Sequence, residues 1–245
     1  MRSTTSSSAR LLPDGTPLRN RLLSALPVAD YARILKHLHM NTVATRHALH
    51  ERGTPVTDVY FPNGGVFSVT NQMRDGRLVE VATVGCEGML GIGVFLGDQS
   101  GAGRTFQQVP DGSFPSMAVG RFVRESSAIG PFRDAIALYA QANLLHIMQS
   151  TACNALHDVK QRCCRWLLET QERVESNDFV LKQEFLAIML GVHRPTVTVV
   201  MGRLQHAGLV STRYGRIHVL NRKRLEKASC ECYAVMRAHF ERLGP

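Results

Sequence analysis

The stretch LKQEFLAIMLGVHRPTVTVVMGRLQHAGLV, from Leu181 to Val210, decides how the chain is read. Phe185, Leu186, Ile188 and Met189 give its first part an apolar helical face, and a helix is expected from Lys182 to Leu190. Gly191 permits a tight turn where a Cβ would be costly. Val192 then plugs the core between the two helices. Val197, Val200, Met201 and Leu204 recur at helical spacing, the buried stripe of a second helix that starts at His193 or Arg194. Helix, glycine turn, helix is the pattern that places a second helix in the DNA major groove. Two packed helices of an ordinary helical domain carry the same periodicity, so the flanking residues must decide.

Downstream, GLVSTRYGRIHVL supplies a helix stop at Gly208 and two β-leaning runs around Tyr214-Gly215. This reads as a two-stranded wing with Arg213 and Arg216 at its tip, placed for phosphates. Lys182, Arg203 and His206 can add backbone contacts. Charge agrees: of a net +9, residues 156–245 hold 15 Lys/Arg against 9 Asp/Glu, while residues 1–155 hold 14 against 11. The shorter C-terminal part carries more of the excess, which favours a polyanion through counterion release.

Working back toward the N-terminus, PFRDAIALYAQANLLHIMQSTACNALHDVKQRCCRWLLETQERV has no glycine or proline after Pro131. One long helix followed by a second fits. Phe132, Ile136, Tyr139, Leu144, Ile147 and Met148 recur along the first, and Ala135, Ala137, Ala140 and Ala142 allow close helix approach. A two-fold helix–helix interface is a natural use for so apolar a helix, and a homodimer is expected. Packing on its own domain is the plain alternative.

Between about residues 50 and 125, VYFPNGGVFSVT, RLVEVATVG and RTFQQVP are short strand-like runs. Gly64-Gly65, Asp75-Gly76 and Asp111-Gly112 punctuate them, as in a small antiparallel roll. Residues 19–49 fit two short helices broken at Pro27. The opening MRSTTSSSARLLPDG reads as a disordered tail rather than a signal peptide. The expected plan is α+β: tail 1–18, β-roll 19–128, dimerisation helix 129–155 and winged helix-turn-helix 156–245. With no run of eighteen apolar residues, no membrane span and a cytoplasmic location are expected.

The opening stretch resembles the DNA-binding module of the Crp/Fnr transcription regulators, and the order of roll, long helix and winged helix is similar too. The resemblance covers about residues 20–235. ACNALHDVKQRCCRWLLETQERV, EFLAIMLGVHR and the late CECY resemble one bacterial subgroup. The resemblance implies a cyclic-nucleotide-binding-like roll and a recognition helix from about His193 to His206. It puts Arg194 at the place of a guanine-reading arginine and Thr196 at that of a phosphate-contacting threonine. The family's glutamate and second arginine are replaced by Pro195 and Val199, so its usual operator is not expected. Proline is tolerated in a helix's first turn, and with Val199 it suits thymine methyls. Thr198 is a further groove-facing candidate, and His193 either touches a phosphate or only caps the turn.

In the roll, Arg104 and Thr105 match the resemblance's phosphate-binding pair, but the ribose-binding glutamate is missing. Cyclic nucleotide is therefore doubtful, no cofactor is expected, and an unidentified small effector stays open, as does an RNA polymerase contact. Arg104 paired with a local acid is the plainer reading. The N-terminal cysteine cluster of iron–sulfur relatives is absent, since the first cysteine is Cys86. Cys153, Cys163 and Cys164 read as small buried residues. Cys230 and Cys232 with His239 do not complete a zinc site, so no metal is expected. His37, His39, His47, His50 and Glu51 lack a catalytic framework, and no enzyme is expected. The expected partner is double-stranded DNA; the alternative is a ligand-binding module that controls a protein partner.

Overall fold

A computed structural model describes residues 10–45 and 47–243. The fold is α+β, as expected: an N-terminal β-roll, a long helix and a C-terminal winged helix-turn-helix. Two short helices come first, α1 (Arg21–Ser24) and α2 (Val28–Leu35), split at Pro27. Leu22, Leu23, Leu26, Tyr31, Ile34 and Leu38 are buried, which explains their spacing.

The roll contains β1 (His39–Asn41), β2 (Ala48–His50), β3 (Asp58–Tyr60), β4 (Val66–Gln72), β5 (Leu78–Val84), α3 (Ile92–Phe95), β6 (Arg104–Val109) and β7 (Phe114–Ala118). Its sheets run β1-β7-β3 and β2-β6-β4-β5, and every pairing is antiparallel. The three predicted glycine corners hold. Gly65, for one, has φ +75°, and a Cβ there would come within 2.4 Å of the Val109 carbonyl oxygen. Phe61, Phe67, Phe114, Phe122 and Phe132 fill the core.

Three boundaries differ from expectation. The roll's strands start at His39, inside the segment read as helical, because β1 is a short edge paired to β7. Helix returns at α4 (Val119–Ala128), earlier than Ile129, with Val119 and Phe122 buried against the roll. Residues 10–18 are not a loose tail: Leu12 is buried, Leu11 bridges Pro17, and Asp14 accepts from Ser113. The rest of the expected tail, residues 1–9, lies outside the described residues.

The long helix α5 (Gly130–Leu156) is 27 residues, about 40 Å. Phe132, Ile136, Tyr139, Ala142, His146 and Cys153 are its buried positions and pack on its own chain. Of the four alanines expected to serve a helix–helix contact, Ala142 belongs to the roll's core instead.

The C-terminal domain comprises α6 (Val159–Val174), β8 (Asp178–Val180), α7 (Gln183–Leu190), α8 (Arg194–His206), β9 (Val210–Arg213), β10 (Arg216–Val219), α9 (Arg222–Ala228) and α10 (Cys232–Glu241). Asp158 and Gln161 form a capping box that starts α6. The domain is not separate from the roll. Val66 and Val109 of the roll pack in the core of α6, α7 and α8, while Phe240 and Leu243 from the chain's end pack in the roll's core. Arg173 of α6 reaches Glu87 at 2.8 Å and Thr83 Oγ1 at 2.8 Å, all buried. No single helix among the described residues is long and apolar enough to cross a membrane.

Candidate nucleic-acid interface

The turn between α7 and α8 is built from its backbone outward. Gly191 has φ +62°, and the next residue, Val192, donates to the Ala187 carbonyl at 3.0 Å. That six-residue closure satisfies a helix-end carbonyl and reverses the chain. The two helices bend by 106° there, within the helix-turn-helix range. His193 is the N-cap of α8, and its carbonyl accepts from Thr196 at 3.0 Å. Pro195 sits in the first turn, where its missing N–H costs no helical hydrogen bond.

Val197, Val200, Met201 and Leu204 are buried, as their spacing predicts. The other face of α8 is open: His193, Arg194, Pro195, Thr196, Thr198, Val199 and Arg203 are all exposed. Thr198 is held to the preceding helix, its hydroxyl donating to Gln183 Oε1 at 2.8 Å. Val199 is 53% exposed.

The wing is a three-stranded sheet, β8-β10-β9, one strand more than expected. Tyr214 and Gly215 both have positive φ, +49° and +74°, the primed turn that suits a two-residue hairpin. Arg213 pairs directly with Arg216 in the register, so two cations stand opposite each other at the tip. Like charges so placed repel, which leaves the tip poised for anions. Arg213 lies over the Tyr214 ring at 5.2 Å. Among the described residues, none of Arg194, Arg203, Arg213 or Arg216 forms an ion pair. Lys182, Arg194, Arg213 and Arg216 line one groove of about 430 Å³ between helix and wing. Four of the expected DNA residues thus line one groove, with Glu184 beside them.

A residue absent from the sequence reading joins these parts. Gln205 Oε1 accepts from the Thr212 N–H at 3.2 Å and from its hydroxyl at 2.9 Å. It fixes the wing against the end of α8. Nothing in its sequence position marks it, because a glutamine on an exposed helix face is ordinary.

The roll places its two candidates apart. Arg104 and Thr105 are consecutive in β6, so their side chains leave opposite faces. Arg104 is exposed and pairs with Glu51 at 3.5 Å; Thr105 is buried. The Arg104–Glu51 pair is the local acid contact that the plainer reading describes. The N-terminal histidines do not assemble either: His37 faces Glu125 at 3.6 Å, while His50 Nε2 meets the Asp58 carbonyl at 2.8 Å.

One expectation needs correction. Cys230 and Cys232 do gain the partners that sequence reading missed: Cys153 and His157, not His239, and the four donor atoms lie within 4.8 Å of one another. The two pairs are some seventy residues apart, so spacing alone gives no sign of their meeting.

Residues 161–228 match the model of the Crp-like helix-turn-helix domain. No curated protein matches the chain significantly. Solved structures do. A Crp/Fnr-family transcriptional regulator from Eubacterium rectale superposes with a TM-score of 0.63 at 19% identity, covering 84% of this chain and 96% of that one. The c-di-GMP-responsive global regulator CLP of Xanthomonas campestris gives 0.64 at 19%, covering 80% and 100%. A CRP-family transcriptional regulator from Thermus thermophilus gives 0.62 at 16%, covering 78% and 96%. The chain therefore has the fold of the Crp/Fnr regulators, with a Crp-like helix-turn-helix domain over residues 161–228.

Proposed function

We propose that this chain is a sequence-specific, DNA-binding transcription regulator that acts as a homodimer and carries out no catalysis. The observation that carries the reading is the groove between α8 and the wing that Lys182, Arg194, Arg213 and Arg216 line, the three arginines forming no ion pair among the described residues. In this reading α8 lies in the major groove, and Arg194, at its first turn, takes a guanine in bidentate geometry. Pro195, Thr198 and Val199 shape the rest of the contact, and the two apolar side chains favour thymine methyls. Thr196, Lys182 and the wing arginines hold phosphates, which fix register without reading sequence. His193 stays at the edge of the contact as the N-cap.

A second chain fits on α5. Ala137, Gln141, Leu144, Met148, Thr151 and Ala155 alternate at spacings of four and three on the face turned away from the roll, and all are exposed. That is the seam of a two-stranded coiled coil. Leu144 is 58% exposed and Met148 60%, more than a solvent-facing helix needs. Two such chains related by a two-fold axis would read a pseudo-palindrome. Selection of bound fragments from genomic DNA, with random competitor present at moderate salt, tests the reading: it expects a recovered inverted repeat. Uniform weak binding to every fragment would reject sequence specificity.

A further inference from the structure

At the junction of α5 and α10, four side chains converge that no DNA contact uses. Cys153 lies in the last turn of α5 and His157 is the cap residue that ends it. Four residues apart, they project from the same side of the helix end. Cys230 and Cys232 flank the start of α10. Cys153 Sγ is 3.5 Å from Cys230 Sγ, and Cys232 Sγ is 3.5 Å from His157 Nδ1. All four donor atoms lie within 4.8 Å of one another.

We propose that Cys153, His157, Cys230 and Cys232 form a tetrahedral zinc site that pins the last helix to the end of α5. Zinc holds thiolate sulfur at about 2.3 Å and imidazole nitrogen at about 2.0–2.1 Å, so donors around one ion stand roughly 3.5–3.8 Å apart. Two of the separations, at 3.5 Å, match that, and the others lie within 4.8 Å, a small contraction away. Three cysteines and a histidine make a closed structural set, with no position left for substrate.

The surroundings are those of a metal site rather than of a greasy pocket. The other ring nitrogen of His157 faces Glu231 Oε2 at 3.2 Å, which turns Nδ1 toward the sulfurs. A carboxylate on the far nitrogen is the usual support for a metal-bound histidine. Gln149 Nε2 donates to Cys232 Sγ at 3.0 Å. The buried Arg165 guanidinium lies close enough to act electrostatically on Cys153. Three thiolates and one Zn²⁺ leave a net charge of −1, beside the Arg165–Glu169 ion pair. Cys153, Cys230 and Cys232 are buried and form a small cluster of their own, apart from both large cores. Closing the site joins chain positions 75 and 77 residues apart, a long loop of the kind a metal clip restrains most in the unfolded chain.

Metal analysis of the intact full-length protein, purified under reducing conditions without chelator and then given equimolar Zn²⁺, tests the proposal. One zinc per chain is expected. X-ray absorption at the zinc edge should show three sulfurs near ~2.3 Å and one nitrogen near ~2.0–2.1 Å. Cys230→Ser and His157→Ala should lose the metal, Glu231→Gln should weaken zinc affinity by about 10–100-fold, and Cys86→Ser should keep it. Absence of zinc, iron with inorganic sulfide in its place, a shell of light atoms alone, or a Cys153–Cys230 disulfide would each overturn the site. The spectrum of the unaltered protein decides even where a variant fails to fold.

Discussion

Trp166 donates its indole N–H to Glu80 Oε1 at 3.3 Å, joining the C-terminal domain to the β5 strand of the roll. The other carboxyl oxygen lies 2.6 Å from Ser68 Oγ, which also contacts Gln108. One hydroxyl proton cannot serve two acceptors. Ser68 donates to Glu80, and the Gln108 amide can turn its N–H toward the same hydroxyl oxygen. Burial is the main cause that pushes this carboxyl up to about 7, against its hydrogen bonds to Ser68 and Trp166 and the pull of Arg173 and Arg165.

The sign of the pH effect follows. A folded pKa above the ordinary value of 4.5 gives a contribution that is complete below about 4.5 and is lost as pH rises through about 7. Glu80→Gln stays neutral throughout. Urea unfolding at about pH 5 and about pH 8 should show the variant gaining on the parent by on the order of 1–3 kcal/mol at the higher pH. A constant difference between the two proteins would show that Glu80 ionises without cost.

Arg194 and Arg216 should fail differently. Arg194→Ala should narrow the gap between the chosen site and random DNA by about 1–3 kcal/mol. Arg216→Ala should weaken all DNA about equally and reduce the salt slope by about 1. Fluorescence anisotropy titrations across a salt series separate the two, and an unchanged gap in the first variant would remove Arg194 as a base reader.

On α5, Met148→Glu places a charge in the proposed seam without touching the chain's own core. Light scattering should then report a monomer. Binding to the palindrome should fall toward that of a single half-site. A dimer that survives the substitution would have to use another face.

Arg173 and Glu87 make a buried ion pair, and removing one partner strands the other. Arg173→Met alone should cost about 3–5 kcal/mol in chemical denaturation, while Arg173→Met with Glu87→Leu should recover most of the loss. Equal costs for single and double variants would mean that packing, not charge, holds this joint.

Much of the DNA-facing surface was legible because a helix encodes its two faces in spacing. Val197, Val200, Met201 and Leu204 had to be buried together, so Arg194, Thr198 and Val199 had to be out. The wing was legible for a similar reason: Tyr214-Gly215 is a turn signal between two short apolar runs. The β-roll was readable in order but not in detail. Its β1 is three residues long, and α4 begins at a segment with strand-like neighbours, so local preference was overruled by packing. Arg104 and Thr105 looked like a pair in the sequence, yet strand alternation sends them to opposite sides. The cysteine–histidine cluster was invisible because its halves come from two ends of the C-terminal region and meet through folding alone.

Phe240 and Leu243, far along the chain from the roll's strands, pack in the same core cluster as the first domain. On the ribosome, then, the N-terminal half emerges with the α5 side of its core uncovered until α10 has been made. Domains made in sequence usually fold as they appear. Here synthesis of α10 is part of completing the packing of the first domain, and a change in that helix would be felt beneath α5 rather than in the winged domain alone.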